Sequence, residues 1–447
     1  MFSSAKHPVL TGTAILTCAG TLSRLIGFFY RIFLSHAIGA EGLGLYQLIL
    51  PLQGLMAALS YTGIQSALSR LIASRLALQE KKEAYFSLVT GIFAAVFFSA
   101  VTGFLLFRHA DFFASTILKA PGTSDLLRLT AASIPLCAIH SCIDSYYYAR
   151  KKASVPAAVQ LSEQAVRIGA TYILYLIFLS EGRPVTAMIA AGGSLAGEAA
   201  ASLISLLMVS FHFGNHPVKE KTSVKIFPLI KDLFTLSFPI SLNRILLTLL
   251  GSIEAVLIPQ MLIRCGMTSS EALKIYGIFT GMALPLLLFP STLTTSAAVM
   301  LMPSVARMDA LGDQKQIRHV TDQTFFLCMF LGFLCGSGFF LFGPFLGTLL
   351  FHSKTAGTYI RYLSFICPFL YTNTMLTSIL QGLGRPGRCL IHSAAGILIR
   401  IFSVVFMIPA IGIRGYFYGI FLGELLLSLL HVKALKFPYR QAGDNRL

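Results

Sequence analysis

The feature that most limits how this chain can fold is a series of apolar stretches that recurs from one end to the other. Each stretch runs for about 20–28 residues, long enough for a helix to cross a bilayer core of about 30 Å. Hydrophobic residues make up 55% of the 447 residues and charged residues only 12%, which leaves too little polar surface for a soluble protein. A membrane barrel would instead show short strands of alternating polarity. The sequence therefore predicts an all-α polytopic membrane protein.

The apolar stretches predict twelve membrane spans, and a polar segment at 214–231 divides them six and six. The two halves echo each other weakly, since "TLSRLIGFFYRIFL" opens the first and "SLNRILLTLLGSIEAVLI" opens the second. Such halves predict two six-helix lobes around a central cavity, 1–213 and 232–447, joined by the segment 214–231 as a cytoplasmic linker. The predicted spans are 10–37, 44–76, 86–107, 126–149, 156–180, 185–213, 232–263, 275–305, 323–350, 359–382, 389–411 and 415–436.

The basic residues predict the orientation in the membrane. The termini and the even-numbered loops hold twenty Lys and Arg residues, the odd-numbered loops hold nine, and six lie within the predicted spans. Because positive loops stay on the cytoplasmic side, we expect a multi-pass protein of the cell membrane with both termini in the cytoplasm. The net charge of +17 is then mainly a topology signal. It does not indicate nucleic-acid binding, since no basic soluble domain is predicted.

Signals of catalysis or of cofactor binding do not stand out in the sequence. There is no phosphate-binding Walker loop and no nucleophile elbow, and none of the eight cysteines forms a Cys-x-x-Cys pair. Most of the cysteines fall in apolar spans, where cysteine behaves as a small hydrophobic residue. The sequence therefore predicts a protein that is not an enzyme, with no metal site and no cofactor.

The first span carries two arginines, although a charge at the centre of a membrane helix costs roughly 2.5–3.5 kcal/mol. Gly20, Arg24, Gly27 and Arg31 recur at helical spacing, so they share one face, with the arginines about 10.5 Å apart along the axis. The glycines leave room for a bulky anion, and the guanidinium fork suits bidentate phosphate binding. The alternative is that Arg31 reaches outward to the membrane surface and Arg24 pairs with a carboxylate.

Charges in later spans suggest further sites. Arg244 opens the seventh span, in the place that Arg24 takes in the first, and we expect the two to face each other across the cavity. Glu254 has no basic residue three or four positions away. A carboxylate in mid-span is either a proton or cation site or a counter-charge to an arginine on another helix, and the two interpretations stay open. Glu198 is a second candidate for ion coupling, although pairing within its own lobe is the simpler interpretation.

Other charged residues in the spans have simpler structural interpretations. Glu163 and Arg167 stand four positions apart in the fifth span, so they satisfy each other as a structural pair. Arg400 and Glu424, which are isolated charges in late spans, are expected to pair between helices of one lobe.

Three quoted segments resemble a known family. "GTLSRLIGFFYRIFLSHAIGAEGLGLYQLILPL" begins at Gly20, "YGIFTGMALPLLLFPSTLTTSAAVMLMPSVA" fills the eighth span, and "ILQGLGRPGRCLI" follows the tenth. Together they resemble the stage V sporulation protein B family of polysaccharide flippases. That family belongs to the multidrug/oligosaccharidyl-lipid/polysaccharide flippase superfamily, with the peptidoglycan lipid II flippase and the MATE exporters. The resemblance covers nearly the whole chain.

The resemblance implies a two-lobed core with a V-shaped cavity, alternating access and a polyprenyl-diphosphate-linked sugar as cargo. In the lipid II flippase the first helix has a Ser-Arg pair and a second functional arginine two turns on. Ser23 and Arg24 match the pair, and Arg31 lies one residue later than the second arginine. This sequence has Gln53 near the place of a cavity arginine in the second helix, and no basic residue before Arg307 in the eighth span. These departures weigh against lipid II itself and not against a phosphate-bearing lipid.

Three functions remain open from the sequence. The leading one is a flippase that carries a lipid-linked cell-wall, spore-cortex or polysaccharide precursor to the outer leaflet, with Ser23, Arg24, Arg31 and Arg244 holding the diphosphate. The second is a MATE-like exporter of organic cations coupled to protons or sodium through Glu254 and Glu198. The third is a non-transporting scaffold in spore-wall assembly. Arginines in the predicted cavity favour an anionic cargo over a cation. The expected partners are membrane lipids, the lipid-linked sugar and a coupling proton or sodium ion.

Overall fold

The computed structural model describes residues 8–215 and 226–436, and nearly all of them are helical. The helices are α1 Pro8–Ala37, α2 Gly39–Ser60, α3 Thr62–Ala77, α4 Lys81–Arg108, α5 Ala110–Phe112, α6 Ser124–Ala149, α7 Ser154–Ser180, α8 Met188–Asn215, α9 Ile226–Arg264, α10 Ser269–Gly277, α11 Leu284–Leu288, α12 Ser291–Ala310, α13 Gln314–Phe351, α14 Lys354–Leu363, α15 Cys367–Gly382, α16 Pro386–Phe406, α17 Ile408–Ile411 and α18 Ile413–Lys436. No strand occurs between residues 8 and 215 or between 226 and 436.

The long helices coincide with the predicted spans to within several residues. Ten helical stretches of the described chain are long and apolar enough to cross a membrane. The helices α1 and α7 are outside these ten, and both contain charged residues, Arg24 and Arg31 in α1 and Glu163 and Arg167 in α7. The prediction of an all-α polytopic membrane fold is confirmed.

Four predicted spans are interrupted, among them the tenth by a 3-10 turn over Ser364–Ile366 and the eleventh at Met407, between α16 and α17. The second is divided at Tyr61 into α2 and α3. The eighth contains a π-helical turn over Ile278–Ala283, followed by α11 and a break ahead of α12, whose N-cap is Pro290. Proline lacks the backbone N–H that would continue the hydrogen-bond ladder, which accounts for the break at that point. Hydropathy does not register these interruptions, because the residues around them are apolar.

The chain forms two compact units. Unit 1 comprises Met1–Ile263 with Met267–Met282, and unit 2 comprises Arg264–Gly266 with Ala283–Leu447. Helix α9 and the start of the eighth span therefore make most of their contacts within unit 1. The predicted division into lobes 1–213 and 232–447 has other boundaries, and it stays a prediction.

Close helix contacts in unit 1 depend on glycine. A Cβ atom at Gly44 of α2 would lie 2.1 Å from the backbone oxygen of Leu273, and one at Gly277 would lie 2.0 Å from that of Ala40. Only glycine lets the backbones of α2 and α10 approach this closely. A second packed region joins α3, α4 and α6, where Leu68 and Leu88 are almost fully buried.

Unit 2 is held together by buried polar contacts as well as by apolar packing. Asn373 of α15 donates hydrogen bonds from Nδ2 to Oε2 of Glu424 (2.8 Å) and to its backbone oxygen (2.9 Å) on α18. Arg400 of α16 lies 3.4 Å from Oε1 of the same carboxylate. Each of these two charges was predicted to pair between helices of its lobe, and the structure shows that they contact each other between α16 and α18 of unit 2.

Candidate functional site

Helix α1 presents one face to α7 and another away from it. Tyr30 and Leu34, four residues apart, are buried, and the Tyr30 hydroxyl lies 3.0 Å from Oγ1 of Thr171 on α7. The ring of Phe33 packs edge-on against that of Tyr175. At 100° per residue, Arg24 and Arg31 lie about 120° and 100° around the helix from Tyr30. The two arginines therefore sit to one side of the face that α7 covers.

We call Gly20, Arg24, Gly27 and Arg31 the arginine face. Arg24 is exposed and Arg31 is half-buried. A Cβ atom added at Gly20 or Gly27 would meet no atom within 4 Å, so open space adjoins both glycines. Among the side chains that the structure describes, no carboxylate pairs with Arg24 or Arg31. The alternative in which Arg24 pairs with a carboxylate has no support in the described part of the chain.

The other predicted phosphate ligands differ in their surroundings. Arg244 of α9 is exposed, belongs to unit 1 like Arg24, and has no ion-pair partner among the described residues. Ser23, in contrast, is 4% exposed, and its hydroxyl has no hydrogen-bond partner in the described chain. In this conformation Ser23 therefore lies inside the packing, whereas its neighbour Arg24 is on the surface of unit 1.

A second group of charges, with side chains only 11–18% exposed, lies where α6, α7 and α8 meet. Arg167 contacts the carboxylate of Glu163 one turn away on α7, and it lies 3.6 Å from Oε1 of Glu198 on α8. The other oxygen of Glu198 lies 2.9 Å from Nε2 of His140 on α6. Nδ1 of His140 is 3.8 Å from Asp144, one turn further along α6. These five residues are called the ion cluster from here on.

The ion cluster sits behind a tight helix contact. A Cβ atom at Gly193 of α8 would lie 1.9 Å from Oγ1 of Thr171, and one at Gly197 would lie 3.1 Å from Cβ of Arg167. These glycines let α8 approach α7 closely enough for Glu198 to reach Arg167. Several polar atoms of the cluster are buried without a hydrogen-bond partner among the described residues, including Nδ1 of His140 and Oδ1 of Asp144.

The remaining ion-coupling candidate lies on α9. Glu254 is 5% exposed and interacts electrostatically with the buried Tyr276 of α10. It is therefore a buried carboxylate in a predicted span. Its role as an ion site or as a counter-charge stays a prediction.

The structure brings some of the predicted residues into contact with one another, and it places residues beside them that were not predicted. Glu198, which the sequence treats as an isolated charge, meets the predicted Glu163–Arg167 pair. The sequence analysis gave no role to His140, which belongs to the ion cluster, because Glu198 is 58 residues beyond His140. It treated Cys137, one turn before His140, only as a small hydrophobic residue. The available signal was local: Cys137, His140 and Asp144 recur at three- and four-residue spacing on one apolar helix.

Comparisons with known proteins agree with the architecture. A family model described as "Polysaccharide biosynthesis protein" matches residues 9–309. Stage V sporulation protein B of Bacillus subtilis (strain 168) is 29% identical over 439 residues, which cover 96% of this chain and 83% of that relative.

Two solved structures are similar in fold. A lipid II flippase MurJ in an inward closed conformation has a TM-score of 0.71 at 14% identity, covering 95% of this chain and 88% of that one. A multidrug resistance MATE family transporter of the MOP superfamily, in an inward-facing conformation, has a TM-score of 0.68 at 17% identity, covering 93% and 95%. At these identities the two structures support the fold and not a substrate.

Proposed function

The chain belongs to the polysaccharide biosynthesis protein family, as its motifs predicted, and from this premise we propose that it flips a lipid-linked saccharide. The cargo is a polyprenyl-diphosphate-linked sugar, which moves to the outer leaflet by alternating access. Arg24, Arg31 and Arg244 bind the diphosphate, and Ser23 is an accessory ligand in a conformation that exposes its hydroxyl. Both termini lie in the cytoplasm, where the precursor would be loaded.

The observation that carries this proposal is the arginine face. An arginine in a membrane helix is costly unless an anion or an aqueous cavity compensates it. Arg167 and Arg400 have such an anion within the fold, as Glu163 and Glu424 respectively. Arg24 and Arg31 have none among the described side chains, and open space adjoins the glycines beside them. An anionic ligand would supply the missing partner.

A diphosphate suits this face for chemical reasons. It carries about two negative charges and several acceptor oxygens, and each guanidinium can donate two parallel hydrogen bonds. Arginine side chains are long and flexible. Two guanidinium groups from positions two turns apart on the same helical face can therefore converge on one headgroup. The uncharged lipid tail would stay in the bilayer.

The rival function is export of an organic cation coupled to protons or sodium. The similar fold of a MATE transporter keeps this rival in consideration, and buried Glu254 and Glu198 would be its ion sites. A cation cargo would need an acidic or aromatic surface, whereas Arg24 and Arg244 are exposed and positive. Under the flippase proposal Glu254 can still couple transport to an ion. Glu254→Gln should then remove dependence on pH or sodium and preserve lipid binding.

The decisive experiment is a binding titration of the purified protein with a polyprenyl diphosphate and with the matching uncharged polyprenol. The wild type should prefer the diphosphate. Arg24→Ala should weaken diphosphate binding about 10–100-fold, because hydrogen bonds to charged groups are worth about 1.5–3 kcal/mol and 1.4 kcal/mol is tenfold. Arg24→Lys should lose less, since lysine keeps the charge but not the bidentate fork. Arg31→Ala should lose least.

Arg70→Ala is the matched control. Arg70 is exposed on α3 and, like Arg24, has no ion-pair partner among the described residues, but it lies outside the arginine face. Its loss should leave the preference for diphosphate unchanged. Equal affinity of the wild type for the two lipids would end the proposal. A preference for organic cations over both lipids would favour the exporter.

A further inference from the structure

Three metal-ligating side chains converge inside unit 1, away from the arginine face. Cys137 and His140 are one turn apart on α6, and Glu198 projects toward them from α8. One potential ligand atom from each residue lies within 4.8 Å of the other two. Cys137 is 6% exposed and Glu198 8% exposed, and the side chain of His140 is 14% exposed, so little of the group meets solvent. We propose that these residues form a binding site for a divalent transition-metal ion of the zinc class.

The donor set is the first argument. A thiolate, an imidazole and a carboxylate are the three ligand types that zinc takes in proteins, at about 2.3 Å for sulfur and about 2.0–2.2 Å for nitrogen or oxygen. The ligand atoms of one tetrahedral zinc are then about 3.3–3.6 Å apart, by tetrahedral geometry from those distances. Rotations of the side chains that move these ligand atoms by about 1 Å therefore suffice to bring them to coordination distance. Hard cations such as magnesium prefer oxygen ligands and would not use the thiolate.

The surrounding residues are the second argument. Metal-binding histidines usually donate their other ring N–H to a carboxylate, which fixes the tautomer and the ring orientation. Asp144 lies 3.8 Å from Nδ1 of His140, just beyond hydrogen-bond distance, and that nitrogen is buried without a hydrogen-bond partner among the described residues. Oε1 of Glu198 is close to Arg167 while Oε2 points to His140. Glu198 is thus oriented by Arg167, and a shift of less than about 1 Å would let Asp144 accept a hydrogen bond from His140.

Charge balance is the third argument. The ion cluster contains the carboxylates of Asp144, Glu163 and Glu198 and a single permanently charged cation, Arg167. Buried charge is tolerated only where it is compensated. Three carboxylates and one arginine leave a surplus of two negative charges. Zinc would add two positive charges and release the proton of the Cys137 thiol, so it would halve that surplus while it bound the thiolate. A protonated His140 would lower the surplus by the same amount without a metal, and the experiment separates the two.

The site is independent of the proposed transport cargo. A metal held by two ligands on α6 and one on α8 would link these two helices. Anything that binds only the folded state raises its stability in proportion to the logarithm of ligand concentration. Zinc should therefore stabilise the protein whether or not it flips a lipid.

The test uses the full chain, purified without a polyhistidine tag and treated with a chelator. Zinc should bind with a stoichiometry of one and raise the unfolding temperature, and cobalt should give the thiolate charge-transfer absorption that reports a Cys–Co²⁺ bond. Cys137→Ser and His140→Gln should each weaken zinc binding at least about 100-fold. Asp144→Asn should weaken it about 10–100-fold, as loss of an orienting partner does.

Cys142→Ser is the matched control, because Cys142 is buried on the same helix but outside the metal-ligating group. It should retain full zinc affinity and the cobalt absorption. The two ligand variants make the test robust, since one folded variant with wild-type zinc affinity refutes the site. Equal stabilisation by magnesium or sodium, or no response of the wild type to zinc, would also overturn the proposal and favour a protonated His140.

Discussion

The arginine face of α1 and the contact between α7 and α8 use the same residue types in opposite ways. Each combines an arginine with nearby glycines. A Cβ atom at Gly20 of the arginine face would meet nothing within 4 Å, whereas one at Gly193 of α8 would lie 1.9 Å from a hydroxyl oxygen. Arg24 is exposed and has no carboxylate partner among the described side chains, whereas Arg167 contacts Glu163 and lies 3.6 Å from Glu198.

The difference shows what glycine and arginine contribute in a membrane protein. Glycine only creates room, and what fills it is either a neighbouring helix or a ligand. An arginine in a membrane helix needs compensation, which comes from a carboxylate of the same fold, from a group brought by a partner or from an aqueous cavity. At the α7–α8 contact the fold itself supplies carboxylates to Arg167. At the arginine face no described carboxylate does so, and under the proposed function the diphosphate is the anion.

The largest expected effect is on stability at the ion cluster. Arg167→Ala would leave the buried Glu163 and Glu198 without their shared cation, and removing one partner of a buried pair costs about 3–5 kcal/mol. We expect poor expression and a marked fall in the unfolding temperature in detergent. Replacing Arg24 by alanine should change neither by more than a small amount, since no described carboxylate depends on it.

Measuring the stability of Arg24→Ala and Arg167→Ala under one set of conditions can contradict, in two ways, the contrast between the arginine face and the ion cluster. If Arg24→Ala unfolds the protein, the residue is a structural partner and the arginine face is not a ligand site. If Arg167→Ala is as stable as the wild type, the ion cluster does not hold the helices together. A double variant, Glu163→Gln with Arg167→Ala, should recover part of the lost stability because it removes a buried charge.

The second prediction concerns the glycines. Gly193→Ala forces a methyl group against Thr171 and should cost about 1–3 kcal/mol, as overpacking usually does. Gly20→Ala meets open space, and alanine favours a helix over glycine by up to about 1 kcal/mol, so stability should hold or rise slightly. Thermal unfolding of the two variants side by side measures the contrast. An equal loss at both positions would mean that the arginine face is packed and not open.

The fold was largely predictable from the sequence, because length and apolarity decide which segments can cross a bilayer. Helix ends were less predictable. Helix α13 begins at Gln314, whereas its apolar stretch was predicted to begin at residue 323. The side chain of Asp313 accepts a hydrogen bond from the N–H of Gln316, so the helix starts at a polar cap outside the apolar stretch. Hydropathy cannot detect that extension.

The candidate sites were predictable only where their residues share one helix. The arginine face follows from the 3.6-residue period, and so does the contact of Glu163 with Arg167. The approach of Glu198 to His140 depends on how α6 and α8 pack, and no periodic signal links residues 58 positions apart. The ion cluster as a whole therefore required the three-dimensional structure.

The smallest predicted effect concerns the hydrogen bond between Tyr30 and Thr171, which connects the two regions compared above. The Thr171 hydroxyl donates its proton to the backbone oxygen of Arg167 at 2.8 Å, so the Tyr30 hydroxyl must be the donor to Thr171. Tyr30→Phe removes that one bond and keeps the buried ring, and it should therefore cost only about 0.5–1.5 kcal/mol. Since Tyr30 lies about 100–120° around α1 from the arginines, affinity for a polyprenyl diphosphate should stay within about twofold of the wild type. Thermal unfolding and the lipid titration, run on the same preparation, check both statements.

A tenfold loss of lipid affinity would show that the packed face and the arginine face of α1 act together. A loss of stability as large as that of Arg167→Ala would instead make the Tyr30 hydroxyl part of the ion cluster.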